Sequence, residues 1–298
     1  MPLDYVRTIR ADAGATVTLF AASKDAAELR NRDANANGAP PISIGGTSVA
    51  QPYDGQFIEM AVEAVTPDAV ALGSGAGTSG SALKFSGAQL ATVADAALLH
   101  PTSVTEEAWF QFQGASGGYN AIFGKPFGTG IDDSYTLWVE AGSLRGYTST
   151  TAALSPLTTA WTVVQEWHHA AFSYDSQTNR QALYIDGAVV ACSSATGTIN
   201  GDAHPALIGG DADNGALSGF WNGTLDEVRL FGEARSADQI WADLHAHKLG
   251  PTPGLIAEWT FDENTGQTAA DSSGHALDAV LGSSSAVEAS DPTWVTGR

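Results

Sequence analysis

Residues 254–298 read GLIAEWTFDENTGQTAADSSGHALDAVLGSSSAVEASDPTWVTGR. The stretch has the form of a domain's beginning, although it stands at the end of the chain. Leu255-Ile256-Ala257-Glu258-Trp259-Thr260-Phe261 is a strand by its run of aliphatic and aromatic side chains. It leads into an acidic turn, Asp262-Glu263-Asn264, then a polar turn at Asp271-Ser272-Ser273-Gly274, then a short apolar strand. A strand of this kind needs neighbours. Leaving Leu255, Ile256, Trp259 and Phe261 in water costs about 1.5–3 kcal/mol for each large apolar side chain.

Composition narrows the classes. The chain has 298 residues, 43% of them hydrophobic, with 33 glycines, which suits a turn-rich β protein. A formal charge of -20 argues against nucleic acid and against anionic membrane surfaces, and leaves carboxylates for hard cations such as calcium. No apolar run approaches the roughly 18 residues of a membrane-crossing helix. MPLDYVRTIRADAG lacks the apolar core of a secretory signal. The expectation is a chain that is cytosolic, exported without a cleaved signal, a mature fragment, or a virion component. The single cysteine, Cys192, has no internal disulfide partner and reads as a small buried hydrophobe.

Residues 1–72 read as a small β domain or docking arm. Thr16 to Phe20 alternates, Ile42 and Ile44 alternate between Pro40-Pro41 and Gly45-Gly46, and Ile58, Met60 and Val62 share a strand face. Residues 73–81, GSGAGTSGS, have linker composition. From Ala82 short strands follow one another: 82–85, 105–112, 119–124, 135–140, 166–174, 180–185 into the Asp186-Gly187 hairpin turn, 189–191, 206–210 and 223–231. One helix is specified. Ser236 and Gln239 make a capping box, Ile240, Trp241 and Leu244 form the apolar stripe, and Gly250-Pro251 ends it.

The runs EWHHAAFSYDSQTNRQALYIDG, ALIGG and FWNGTLDEVRLFGEARSADQIWADL, in that order, resemble the LamG-like (concanavalin A-like) jelly-roll family over residues 82–249. The resemblance implies an all-β fold, a jelly-roll sandwich with one short helix. Family members open on a strand and turn like those of residues 254–298, and continue into a segment like that at Ala82. The chain therefore resembles a circularly permuted member spanning 82–298, with 254–298 supplying the first strands. Two alternatives stand beside this. The tail completes a neighbouring copy, or it is the orphan start of a tandem array.

The resemblance also implies chemistry. Related jelly rolls hold a structural calcium between turns, which points to Asp262, Asp271 and Asp226. Asp211, Asp213 and Asn214 form a second acidic loop of D-x-D spacing, GGDADNGALSG. Sugar-stacking candidates are Trp138, Tyr147, Trp161, Trp221 and Tyr119. Trp221 with Asn222, beside Asp211, Asp213 and Asn214, is the leading glycan-binding cluster, with core packing as the competing role of Trp221. Catalysis is not expected. The carboxylate spacing of a glycosidase strand is missing, and the adjacent Glu106 and Glu107 point to opposite faces. His168-His169 and His245/His247 form no metal framework. The expected function is non-catalytic: a virion-associated structural protein of decoration or fibre type displaying a glycan-binding jelly roll. The alternative is a secreted or cell-surface carbohydrate-binding module. Expected partners are glycans or other virion and surface proteins, in an oligomer or assembly, on a virion or extracellular surface.

Overall fold

The computed structural model describes residues 42–44, 47–49, 80–114, 118–152, 155–162 and 164–298. The chain divides into two compact units, Met1–Ala76 and Gly77–Arg298. In the first, the described residues form a hairpin, β1 (Ile42–Ile44) with β2 (Thr47–Val49), in register Ile42 to Val49. The strands expected at Thr16–Phe20 and Ile58–Val62, and residues 73–79 of the linker, lie outside the described residues.

The second unit is a sandwich. Its strands are β3 (Ser81–Ser86), β4 (Ala91–Val93), β5 (Val104–Phe112), β6 (Tyr119–Pro126), β7 (Asp133–Glu140), β8 (Ser143–Thr148), β9 (Leu157–Ala160), β10 (Trp167–Asp175), β11 (Arg180–Ile185), β12 (Ala188–Ser194), β13 (Ala206–Ile208), β14 (Asp211–Asp213), β15 (Ala216–Ser218), β16 (Asn222–Phe231), β17 (Leu255–Trp259), β18 (Thr268–Ala269), β19 (Ala279–Leu281) and β20 (Thr293–Thr296). The first sheet runs β12-β11-β10-β5-β16-β3-β20, with β17 also on β16; the second runs β18-β19-β4-β13-β6-β7-β8-β9. All pairings are antiparallel. The core lies between the sheets: Phe110, Phe172, Leu183 and Leu225 of the first meet Phe123, Tyr135, Leu137 and Leu144 of the second. The approach is close at β8, where a Cβ on Gly146 would sit 2.4 Å from the Phe172 ring.

Residues 254–298 pair within their own chain. One edge of β16 is shared by two strands: β3 covers Asn222–Leu225 and β17 covers Val228–Phe231. The change-over falls at a bulge between Asp226 and Arg229, where Glu227 takes the left-handed conformation, φ 47°. β19 extends the second sheet beside β4, and β20 extends the first beside β3. The Asp186-Gly187 turn takes positive φ at both residues, 49° and 75°, as a two-residue hairpin requires.

The helix α1 (Ala237–Asp243) carries the capping box between Ser236 and Gln239. Its stripe differs from the expected one. Ile240 and Leu244 are buried, but Trp241 is 48% exposed and packs against the His245 ring at 4.6 Å. Beneath α1, on the outer face of the first sheet, the buried Arg229 donates to Glu258 at 3.0 Å, to Glu227 at 3.1 Å and to the Asp243 carbonyl at 2.7 Å. Arg235 grips both carboxylate oxygens of Asp243. Cys192 corrects another expectation. It lies on the edge strand β12, where Ala191 packs against the core and Cys192, the next residue, faces outward and is exposed. Among the described residues no helix is long and apolar enough to cross a membrane.

Candidate functional site

The second sheet turns one side of each strand to the core and the other outward. Along β7, Tyr135, Leu137 and Val139 enter the core, which leaves Thr136, Trp138 and Glu140 on the outer face. Along β8, Leu144 is in the core and Arg145 and Tyr147 face outward. The register sets Trp138 against Arg145 and Thr136 against Tyr147. Ala141 and Gly142 close this hairpin with positive φ, 48° and 73°.

Polar groups on this face converge. Trp138 stacks on Tyr119 at 5.4 Å and donates from Nε1 to Glu140 Oε2 at 3.3 Å. Arg145 Nη1 reaches the same oxygen at 3.0 Å, the two side chains being 31% and 33% exposed. Arg145 Nε is buried and has no partner. Tyr147, two residues along the same strand, is half-buried. A guanidinium and a carboxylate fixed beside an aromatic ring can hold neighbouring hydroxyls of a sugar while the ring meets its apolar face.

The leading sequence candidate lies elsewhere. Trp221 is 0% exposed and packs against Phe112 at 5.1 Å and Phe110 at 5.9 Å. Its ring faces are covered by the core, so no sugar ring stacks on it. Trp161 is likewise a core residue, beside Phe110 and His168. Asn222 is half-buried and donates to the Gly114 carbonyl at 2.9 Å. Asp211, Asp213 and Asn214 belong to a small hairpin, β14 with β15, and not to an open loop. Asn214 takes φ 52° at its tip, Asp213 accepts from Ser218 at 2.6 Å, and Asp211 is buried. Asp211 stands beside Asp133 of β7. Burial raises both carboxyls, and the Asp211 charge raises Asp133 further.

The calcium candidates are engaged by hydrogen-bond donors. Asp271 accepts from the Glu258, Ser273 and Leu277 amides and from the Ser273 hydroxyl. Asp262 accepts from His247 Nε2 at 2.8 Å. Asp226 accepts from the Glu227 amide at 2.9 Å, and burial pushes its carboxyl up to about 7. N–H and O–H groups turned toward these oxygens repel a cation, so this set does not fit calcium. It is the turn-capping arrangement. Among the described residues no three His, Cys, Asp or Glu side chains form a group that could hold a metal ion.

Glu106 and Glu107 lie on opposite faces of β5, and both are buried. Sequence reasoning named Trp138, Tyr147 and Tyr119 only as scattered aromatics and passed over Arg145 and Glu140. The alternation Tyr135-Thr136-Leu137-Trp138-Val139-Glu140, the Ala141-Gly142 turn and Ser143-Leu144-Arg145-Gly146-Tyr147 together carry the missing signal.

Two antiparallel sheets packed face to face, with one capped helix against the outside, define a lectin-type jelly-roll sandwich. A family model of the Concanavalin A-like lectin/glucanases superfamily, of laminin G type, matches residues 85–241, more than half of the chain. The chain belongs to that superfamily. Among solved structures it is similar to a candidate carbohydrate-binding protein from Bacteroides ovatus ATCC 8483, at 18% identity and TM-score 0.55, over 73% of this chain and 60% of that one. The chain thus spans 60% of that protein's length. It is also similar to a heptameric SAP-like pentraxin from Limulus polyphemus, at 14% identity and TM-score 0.46, over 68% of this chain and 94% of that one. A third is the CBM40 of a Ruminococcus gnavus IT-sialidase, at 15% identity and TM-score 0.45, over 53% and 95%. At these identities the likeness is one of fold. No curated protein matches the chain.

Proposed function

We propose that the chain is a non-catalytic glycan-binding module that takes its sugar on the outer face of the second sheet, at Tyr147, Arg145 and Glu140. The observation that carries this is Arg145. Its guanidinium is half-exposed and tied to Glu140, its Nε lacks a partner, and an aromatic ring stands two residues away on a fixed strand. Glu140 and the net charge of -20 disfavour a carboxylate-bearing sugar, so the ligand is a neutral glycan read through adjacent hydroxyls. The Bacteroides ovatus fold relative, described as a carbohydrate-binding candidate, supports the same reading.

The display surface follows as a further part of the proposal. A virion or extracellular surface, with other surface proteins as partners, suits the acidic, Gly-rich composition. A glycan array with the pure chain and with Tyr147→Ala and Arg145→Ala tests the module. Binding of a neutral glycan, lost in both variants, supports it; a flat array for the parent chain overturns it.

A further inference from the structure

The outer face of the first sheet holds polar groups that neither the fold's ion pairs nor the proposed sugar site use. Glu107 and Trp109 lie on the same face of β5, and His169 of β10 stands opposite Trp109. Glu107 and His169 are fully buried side chains, and their closest approach is 3.5 Å, from His169 Nε2 to Glu107 Oε2. That is long for a direct hydrogen bond. Both Glu107 oxygens, both His169 nitrogens and Trp109 Nε1 are buried without a hydrogen-bond partner. The Trp109 and His169 rings meet edge to face at 5.5 Å. Five orphaned polar atoms on three touching side chains are far more than a packed interior tolerates by chance.

The neighbouring cations do not satisfy them. Arg229 spends its donors on Glu258, Glu227 and the Asp243 and Ala246 carbonyls. Arg235 spends its donors on Asp243 and Glu233. Arg298 lies over the Trp109 ring at 4.0 Å and donates to Glu227. The unmatched set is therefore two obligate donors, the indole N–H and the buried Arg298 Nε, two carboxyl oxygens, and an imidazole that offers one donor and one acceptor. An occupant must both accept and donate, which a monatomic ion cannot do and a water molecule can. Buried water typically makes about three hydrogen bonds to groups of this kind.

We propose that Glu107, His169 and Trp109 enclose a site for one buried water beneath α1, through which the carboxyl and the imidazole are hydrogen-bonded. The water accepts from Trp109 Nε1, donates to Glu107, and exchanges its remaining bond with His169. The protonation states agree. Burial pushes Glu107 up to about 7 against the pull of Arg229 and Arg235. Burial first, then Arg229 and Arg298, push His169 down to about 3 against Glu227 and Asp186. The imidazole is thus neutral and keeps an acceptor. The site also touches the α1 anchor, since Glu107 is among the groups that raise Asp243.

A crystal structure of the full chain at atomic resolution, beside that of Glu107→Gln, tests the site. One density peak within hydrogen-bond distance of the Glu107 carboxyl, the His169 ring and Trp109 Nε1, kept in Glu107→Gln, is the expected result. A direct Glu107–His169 hydrogen bond with no peak between them, and Trp109 Nε1 on a backbone carbonyl, would overturn the proposal. Oxygen-17 relaxation dispersion gives a second reading in solution: one long-lived water present in the parent and in Glu107→Gln, and missing in His169→Phe. Equal counts in the parent and in His169→Phe also overturn it.

Discussion

Ser81 Oγ donates to the Phe261 carbonyl oxygen at 2.5 Å, joining two residues 180 positions apart. The bond marks the point where β17 ends and β3 begins, end to end along β16. Gly297 N bonds the Gly80 carbonyl at 2.7 Å at the same junction, and Arg298 donates to Glu227 of the bulge at 2.8 Å. Three separate segments of chain therefore close one lane of one sheet. We propose on this basis that residues 254–298 are the family's first strands relocated to the C-terminal end.

Deleting residues 254–298 is expected to abolish cooperative folding of the sandwich. Leu255, Ile256, Trp259 and Phe261 are all buried there. At about 1.5–3 kcal/mol each, their loss is comparable with the whole stability of a typical domain, about 5–15 kcal/mol. Circular dichroism melting of the truncated chain checks this. A transition at the parent's temperature would mean that these strands are dispensable.

Trp221→Ala and Tyr147→Ala should separate stability from binding. Removing the fully buried Trp221 costs about 3–5 kcal/mol, seen as a lower midpoint in urea. Tyr147→Ala on the outer face should cost about 1 kcal/mol or less. The reverse order would return Trp221 to the surface role suggested by its place beside Asn222.

Much of the fold was legible because strand alternation and turn chemistry are local. The Asp186-Gly187 turn, the Ser236–Gln239 capping box and the strand at Leu255 follow from neighbouring residues. Burial depends instead on which strand lies opposite, and that is not local. Trp221 sits beside a polar Asn222 and an acidic hairpin, yet Phe110 and Phe112 of β5 cover it. Trp241 fits the helical stripe by spacing, but the sheet beneath α1 accommodates only Ile240 and Leu244. The β14–β15 hairpin reads as a loop because three-residue strands leave too few positions for alternation. Arg145 and Glu140 become a pair only through the register of β7 and β8, which the short Ala141-Gly142 turn sets.

Glu107 gives the fold a signed pH dependence. In the folded chain its proton is held to about 7, against an unfolded value of 4.5. Between these values the folded state binds more protons, so this group's contribution to stability falls as pH rises. His169 acts oppositely. Held neutral down to about 3 against 6.5 unfolded, it stabilises above about pH 6.5, and that stability is lost as pH falls. Glu107→Gln should therefore gain on the parent between about pH 5 and pH 8, by up to about 3 kcal/mol at 1.36 kcal/mol per pH unit. Paired urea titrations at the two values check it, and an equal difference at both would contradict the assignment.

The glycan claim is tested most directly by titrating the parent chain and Tyr147→Ala with the strongest neutral glycan from an array, by calorimetry. We expect the parent to bind and Tyr147→Ala to bind at least about tenfold more weakly, about 1.4 kcal/mol, with an unchanged fold. Equal affinities for the two proteins, or no binding by the parent to any neutral glycan, would contradict a sugar site on the outer face of β7 and β8.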